Sequence, residues 1–600
     1  VKSGESYVVS LKIKIQNHNG TKKDYIIQKE YGKNDVIRKD EPTTNAIWPN
    51  FSHPNWNTYF LYNASASTSL FIRNTFDINT AKEKIDSFED PRDQFNYCDK
   101  LKGEVVEFSE RLGILESSVI QEIYLMKKPP EAIFYDALSE DARNYQPPSQ
   151  RTPLGLALVP KVKKKILSNN EFRVGIDFGT TNSCVYYREN NDEPRPISFS
   201  DRIYSPFEVT KDTKDIIDYT LTEFIPKTNV DVPFLSLSRD RLSENDPRQG
   251  DNLPIWSKFI YYANNILLGL DSILNPGDRP IKGDLKWSDS PQDILNVEVY
   301  MAQIALQALA ESYGRSIDPK NIKWSYSYPE AFKPAKLRKY KSLFRKSLNK
   351  AINPLEDLEE TITPSFRSES LASALYFSKK VPFTSTVITI DIGGHTSDIS
   401  IFQDQKLLWR SSLELAGRHI LIDFLINNID LIKSLAMTNK EIEKAYTRIE
   451  KVFDLNHPNS ERNAIEMLVN SDEFAKTFSD KYLVVSGTEA GKKLSIVAEI
   501  ALSGMLFYIS RVLHNLKSKG LYKIEHTNTV TVCLGGKASL LYKSIFEDQE
   551  DQTGIEELFS QAAGDLVPRD SINFQYTENP KHEVSHGLLI DPRGVADLDV

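Results

Sequence analysis

The sequence predicts an α/β body preceded by a β-rich region, on three observations. From Phe172 onward, short apolar strands alternate with long amphipathic helices, the pattern of layered α/β organisation. Ahead of that point, side chains alternate with a period of two, and proline pairs at 129–130 and 147–148 limit segment length. Two strand–turn–strand segments, around Asp177 and Asp391, resemble each other. The chain has 600 residues, more than one hydrophobic core usually holds, so at least two domains are expected.

Along the chain, Val9, Leu11, Ile13 and Ile15 alternate with Ser10, Lys12, Lys14 and Gln16, which reads as a half-buried strand. The turn Asn17–Gly20 and a second strand at Tyr25–Ile27 complete a hairpin. The aromatic cluster Trp48, Phe51, Trp56, Tyr59, Phe60 and Tyr62 either packs inside a small sandwich or presents a peptide- or sugar-binding surface. Strand-like pieces follow at 122–125 and 132–135. A linker from about 160 to 170, with the basic run Lys161–Lys165 read as solvated, separates a β-rich domain (1–168) from an α/β domain (169–592) and an eight-residue tail (593–600). Helical patterns cover 294–314, 440–452, 463–478 and 494–516, and residues 420–525 read as a mostly helical insertion. The stretch Gly487–Lys493 imitates a nucleotide-binding P-loop. It has three residues between its glycines where four are needed, and Lys493 where a serine or threonine should stand, so it is set aside as a loop.

Composition narrows the function class. Hydrophobic residues make up 40% and charged residues 26%, an ordinary folded mixture, and the formal charge of −9 argues against broad nucleic-acid binding. Three cysteines without close spacing point to no disulfide framework or zinc site. No apolar run is read as reaching the length of a membrane span and no signal-peptide pattern is seen, so no membrane insertion and a cytoplasmic location are expected. The start at Val1 suggests processing or a piece of a longer protein.

The chemistry lies in the two similar segments. In Arg173-Val-Gly-Ile-Asp177-Phe-Gly179-Thr180-Thr181-Asn182-Ser183 and Thr386-Val-Ile-Thr-Ile-Asp391-Ile-Gly393-Gly394-His395-Thr396-Ser397-Asp398, an apolar strand ends in aspartate, a glycine/threonine turn follows, and a second strand leads away. Glycine lets backbone amides approach a phosphate, and threonine hydroxyls add donors. An aspartate beside each turn supplies the hard oxygen that suits Mg²⁺ or its waters.

These segments resemble the first and second phosphate motifs of the heat-shock seventy (DnaK-type) chaperones, within the actin and hexokinase superfamily. Ser368–Tyr376 is similar to the connecting helix of that family, Thr529–Ser539 to its adenosine motif, and His582–Leu588 to its closing helix. The resemblance covers about 171 to 592, with the motifs in the family's order. It implies a two-lobed ATPase with duplicated ribonuclease H-like cores and a helical insertion, behind a sandwich-like β domain. It implies ATP or ADP with Mg²⁺ as cofactors. Catalytic roles would fall to Asp177, Glu369, Asp391, Thr396 and Asp398, with the metal at Asp177 and Asp391. Nucleotide contacts would fall to Gly179, Thr180, Thr181, Asn182, Gly393, Gly394, His395, Gly535, Gly536, Lys537 and Ser539.

Three features depart from the family. His395 replaces a glycine, as an extra phosphate donor or a solvent-facing turn residue. The family's lysine near the γ-phosphate has no clear counterpart; asparagines stand at 264 and 265, and Lys258 and Lys286 are both candidates. Only eight residues follow Pro592, so the family's later β-sandwich is expected to be absent and the extra domain to sit in front. The expected function is an ATP- and magnesium-dependent conformational switch, a slow ATPase acting on a protein partner or client through 1–168. A nucleotide-binding pseudo-ATPase scaffold and an actin-like assembly protein are the alternatives.

Overall fold

The computed structural model describes 167–197, 281–352 and most of 362–591, together with the strands and short pieces of the earlier and intervening chain. Before residue 167, side chains are described within 47–61 and at Pro129. The chain divides into two compact units, one of 1–50, 58–162 and 204–217, the other of 51–57, 163–203 and 218–600.

The first unit holds antiparallel sheets. Ser6–Gln16 pairs with Lys22–Gly32 in the expected hairpin, longer than the pattern suggested. Ile120–Met126 lies between Tyr59–Ser65 and Val105–Glu110, and Ala132–Ala137 between Thr68–Arg73 and Thr152–Leu158. Ile47, Tyr59 and Leu61 share one face of their sheet and are buried, and Trp48, on the opposite face, is buried too. Phe51 and Trp56, which belong to the second unit, are buried against Tyr313, with ring centroids 5.7 and 5.4 Å away. For these aromatics, packing in a core is what is observed.

The second unit contains two mixed five-strand sheets with helices, an α/β arrangement. The first joins β1 (Phe172–Asp177), β2 (Asn182–Glu189), β3 (Arg195–Pro196), β4 (Ile322–Tyr328) and β5 (Ser365–Ser368) in the order β3-β2-β1-β4-β5. The second joins β6 (Thr386–Ile392), β7 (Ser397–Gln403), β8 (Lys406–Leu413), β9 (Val530–Gly535) and β10 (Ile572–Tyr576) in the order β8-β7-β6-β9-β10. In both, the first three strands run as an antiparallel meander and the last two run parallel to the first.

The correspondence extends to register. Adding 214 to each residue number, the step from Asp177 to Asp391, carries every β1–β2 and β2–β3 pair onto an observed β6–β7 or β7–β8 pair. Asp177↔Cys184 becomes Asp391↔Asp398, and Tyr187↔Arg195 becomes Ile401↔Trp409. Every residue of β6 and β7 is buried, the near-continuous apolar run of a strand covered on both faces.

Seven helices matter to the site: α1 (Pro291–Gly314), α2 (Pro334–Ile352), α3 (Glu369–Phe377), α4 (Lys440–Asp454), α5 (Pro458–Val469), α6 (Glu489–Ser518) and α7 (Glu583–Leu588). Helix α5 starts at Pro458, ahead of the expected 463, because proline at the first helical position needs no hydrogen-bond partner. It ends at Val469 rather than running on to 478.

Two readings of 487–518 are corrected. The P-loop-like stretch is not a loop throughout: Thr488 accepts from the Gly491 amide at 3.0 Å and caps α6, whose first turns include Lys492 and Lys493. In addition, α6 is long and apolar enough to cross a membrane by length and composition, with a mean hydropathy of 1.7 over its most apolar window. Its charges are dense at the ends, at Glu489, Lys492, Lys493 and Lys517, and sparse between, where Glu499 and Arg511 are the charged residues from Leu494 to Leu516. Buried Leu494, Ala498, Leu502, Met505, Leu506, Ile509 and Leu513 follow helical spacing and face the core.

Helix α7 carries a pH-dependent element. His586 is largely buried, its ring centroid 4.2 Å from that of Tyr186 and its Nε2 without a partner. Burial, with His582 and Lys380 nearby, pushes its pKa down to about 4. Because the folded value lies below the unfolded one, the stability this residue contributes is present above about pH 6.5 and lost as pH falls toward 4. The wild-type chain is expected to lose up to about 3 kcal/mol over that interval through this group. Urea unfolding at pH 7 and pH 4.5 should show a smaller difference for His586→Leu; equal differences in the two chains would contradict it.

Candidate functional site

The two aspartate turns meet. A Cβ added at Gly394 would lie 2.6 Å from Thr181 Oγ1, so the second loop presses against the first where no side chain fits. The second loop is held from below: the amides of Gly417 and Arg418 donate to the carbonyls of Gly393 and Gly394 at 3.0 and 2.8 Å, and Ala538 N donates to Ile392 O at 3.2 Å. A single π-helical turn, Arg418–Ile422, begins at this contact. Gly536, at φ +78°, turns the chain after β9, where a Cβ would lie 2.3 Å from Asp391 Oδ1.

Behind the turns lies a cluster of buried charges: Asp177, Glu369, Asp391, Asp398 and Glu583 against Lys286 and Lys581. Ser327 Oγ donates to Asp177 Oδ1 at 2.6 Å, and Lys581 Nζ lies 3.4 Å from Asp177 Oδ2. Lys286 donates to Glu369, at the first position of α3, where Ser368 caps the helix through the Leu371 amide. Thr396 Oγ1 donates to Asp398 Oδ2 at 3.1 Å, and Glu583 Oε1 accepts from the Gly536 amide at 3.2 Å.

Carboxylates outnumber cations here, and desolvation favours the neutral acid. Burial pushes Asp398 up to about 8 and Glu583 up to about 7, and raises Glu369. Burial also raises Asp391 well above the usual carboxylate range, with Glu583, Asp398 and Asp177 adding repulsion. Burial alone would lower Lys581, but Asp177, Asp391 and Glu369 hold its ammonium above the usual lysine range.

In front of the cluster opens a cavity of about 180 Å³. Its lining is mixed: Thr181, Asn182, Gly393, Gly394, Lys537 and Lys581 supply polar groups, and Leu421, Ile422, Val469, Phe474, Phe478 and Leu541 supply apolar side chains. Its charged lining residues are Arg418, Lys537, Lys543 and Lys581, all cationic, and no Asp or Glu lines it among the described residues. Thr181 Oγ1, which faces it, is buried without a partner.

The structure therefore brings most of the sequence-derived residues together, in distinct roles. Thr181, Asn182, Gly393, Gly394 and Lys537 line the cavity. Asp177, Glu369, Asp391, Thr396 and Asp398 sit in the charged cluster behind it. Gly535, Gly536 and Ser539 do not line the cavity; Ser539 Oγ donates to Gly536 O at 2.7 Å and braces the turn. Gly179 packs beside Lys581. Thr180 accepts from Trp287 Nε1 at 2.8 Å, and the ring of His395 lies on Trp287 with centroids 4.7 Å apart. That ring is half-buried, with its Nδ1 unpartnered, and burial lowers its pKa. Of the two candidate lysines, Lys286 lies in the cluster; Lys258 lies outside the described residues, as do Asn264 and Asn265.

Sequence reasoning missed Trp287, Asn470, Lys581 and Glu583. Asn470 accepts from Asn182 Nδ2 at 2.6 Å and, through its carbonyl, from Lys537 Nζ at 2.8 Å, and so ties both strand ends to the C-terminus of α5.

Among the described residues, no group of three or more His, Cys, Asp and Glu side chains is arranged as a metal site. A magnesium ion nonetheless fits the donors present, because Asp391 Oδ1 and Asp398 Oδ1 are buried, unpartnered hard oxygens and this ion completes its shell with water and phosphate oxygens. In comparisons with known proteins, no family model matches the chain, and no curated protein matches it.

Proposed function

We propose that this chain binds ATP with Mg²⁺ between two lobes of an actin- and heat-shock-seventy-like ATPase, and hydrolyses it slowly as a conformational switch. The observation that carries the reading is a cavity with only cationic charged lining, walled by two registered aspartate–glycine–threonine turns and by apolar side chains. A polyphosphate matches the cationic groups and a purine ring the apolar side chains. The repeated β3-β2-β1-β4-β5 order, with its shared register, supports duplicated cores.

In this reading the backbone amides of the turns and the free Thr181 hydroxyl receive phosphate oxygens. Asp177 and Asp391, with the free oxygen of Asp398 beside them, would hold the metal or its waters, and the metal would neutralise phosphate charge. Glu369 and Asp398 hold a proton position beside the phosphate chain and orient water there. Burial pushes the Asp398 carboxyl up to about 8, so in the empty site at neutral pH it is the neutral acid and can donate a hydrogen bond, and burial raises Glu369 in the same direction. The turns and the apolar side chains belong to different segments of the chain, so closing on nucleotide draws them together and supplies the switch. The partner or client of the switch is engaged through 1–168 in this reading.

The test is calorimetric titration of the full chain with ATP and ADP, with and without Mg²⁺. Binding in the micromolar range, strengthened by the metal, is expected; no binding of either nucleotide at millimolar concentration overturns the reading. A second reading, binding without hydrolysis, is favoured by one observation: Lys286 and Glu369 are engaged with each other. Phosphate release in a single turnover separates the two.

A further inference from the structure

We infer that Lys581 is the cation that receives the phosphate chain of the bound nucleotide, an inference that rests on the nucleotide reading above. Of the buried charges behind the two turns, only Lys581 also lines the cavity. Its ammonium lies 3.4 Å from Asp177 Oδ2 on one side. On another it lies where a Cβ on Gly179 would stand only 2.9 Å away, so it rests against the backbone of the first turn. A phosphate drawn to the amides of that turn therefore meets this ammonium without rearrangement of the backbone.

The residue's position is fixed rather than incidental. Lys581 has φ +80°, directly ahead of α7, and its side chain reaches a partner 404 residues away in sequence. The other ammonium of the cluster, Lys286, is committed to Glu369 and does not line the cavity. Among the remaining cavity cations, Arg418 is held by Asp284 and Glu466, Lys537 by the Asn470 carbonyl, and Lys543 is exposed in the last turn of the helix Ser539–Ile545. Lys581 is paired with a carboxylate that would itself turn to the metal, so arrival of a metal-bound nucleotide releases it toward phosphate. Charge attraction then grows with phosphate number, and the lysine selects for the chain and not for the base.

The test measures affinity of the full-length protein for ATP, ADP and adenosine in the wild type, Lys581→Met and Lys581→Arg. The expected pattern for Lys581→Met is ATP weakened about 30-fold or more, ADP less, and adenosine within about twofold, with Lys581→Arg restoring most of the ATP preference. A Lys581→Met chain that keeps the wild-type ratio of ATP to adenosine affinity overturns the inference and leaves the nucleotide reading standing. A wild-type chain that binds no nucleotide overturns both. Should Lys581→Met fail to fold, Asp177→Asn/Lys581→Gln, which deletes both charges of the pair together, is read against Asp177→Asn alone; an unchanged ATP-to-adenosine ratio there also overturns it.

Discussion

Replacing Asp391 by asparagine is expected to lower single-turnover ATP hydrolysis by about 100-fold or more and, at the same time, to stabilise the ligand-free chain. The two effects have one cause. Asp391 is buried among Glu583, Asp398 and Asp177, with its Oδ1 unpartnered, and burial and those neighbours hold its pKa far above normal. An ionised carboxylate there is costly to the empty fold and useful only once cations arrive. Asparagine keeps the shape, removes the charge, and removes one donor to magnesium. The sign follows from linkage: a carboxyl whose folded pKa is raised contributes stability below its unfolded pKa and loses it as pH rises through the folded value. The stability gain from Asp391→Asn should therefore be small at pH 4 and grow toward pH 9. Thermal melts across that range, with and without ATP and Mg²⁺, check it. If the variant melts below wild type at pH 9, the electrostatic account of the site is wrong; if hydrolysis is unchanged, the catalytic role of Asp391 is wrong.

The parts of the site that were legible in the sequence are those written locally. Each aspartate turn lies between two apolar runs seven residues apart, at Asp177 and Cys184 and at Asp391 and Asp398, so strand, turn and candidate ligand appear in one window. Helix α3 was legible for the same reason, with Ser368 capping and Glu369 following. Lys581 and Trp287 were not, because nothing near them in sequence marks them. Lys581 lies between β10 and α7 and gains meaning only from a partner on β1, and Trp287 only from Thr180. The start of α6 was misread because Gly491 and two lysines suggest a loop, while the cap that decides the matter is a single Thr488 hydroxyl. The span-like character of α6 was missed because Glu499 and Arg511 interrupt the apolar run, while the hydropathy averaged over a longer window stays high.

The largest stability effect is expected at Gly587, where α7 crosses α3. A Cβ on Gly587 would stand 1.7 Å from the carbonyl oxygen of Ala372 and 2.5 Å from its carbonyl carbon, both backbone atoms that no side-chain rotation can move. Helix α7 is pinned on its other side too, since a Cβ on Gly175 of β1 would lie 2.4 Å from Ser585 O. Gly587→Ala must therefore push two helices apart or unwind one, and a loss of more than about 3 kcal/mol is expected. The consequence reaches the site. Helix α3 begins with Glu369 and α7 begins beside Lys581 with Glu583, so separating them displaces three of the seven buried charges of the cluster. Nucleotide affinity should fall together with stability. Gly504→Ala provides the contrast, because nothing lies within 4 Å of its added Cβ on the exposed side of α6. There alanine should stabilise by about 0.5–1 kcal/mol through helix propensity. Urea midpoints followed by circular dichroism compare the two; a Gly587→Ala chain within about 1 kcal/mol of wild type would show that the α3–α7 crossing is looser than drawn here.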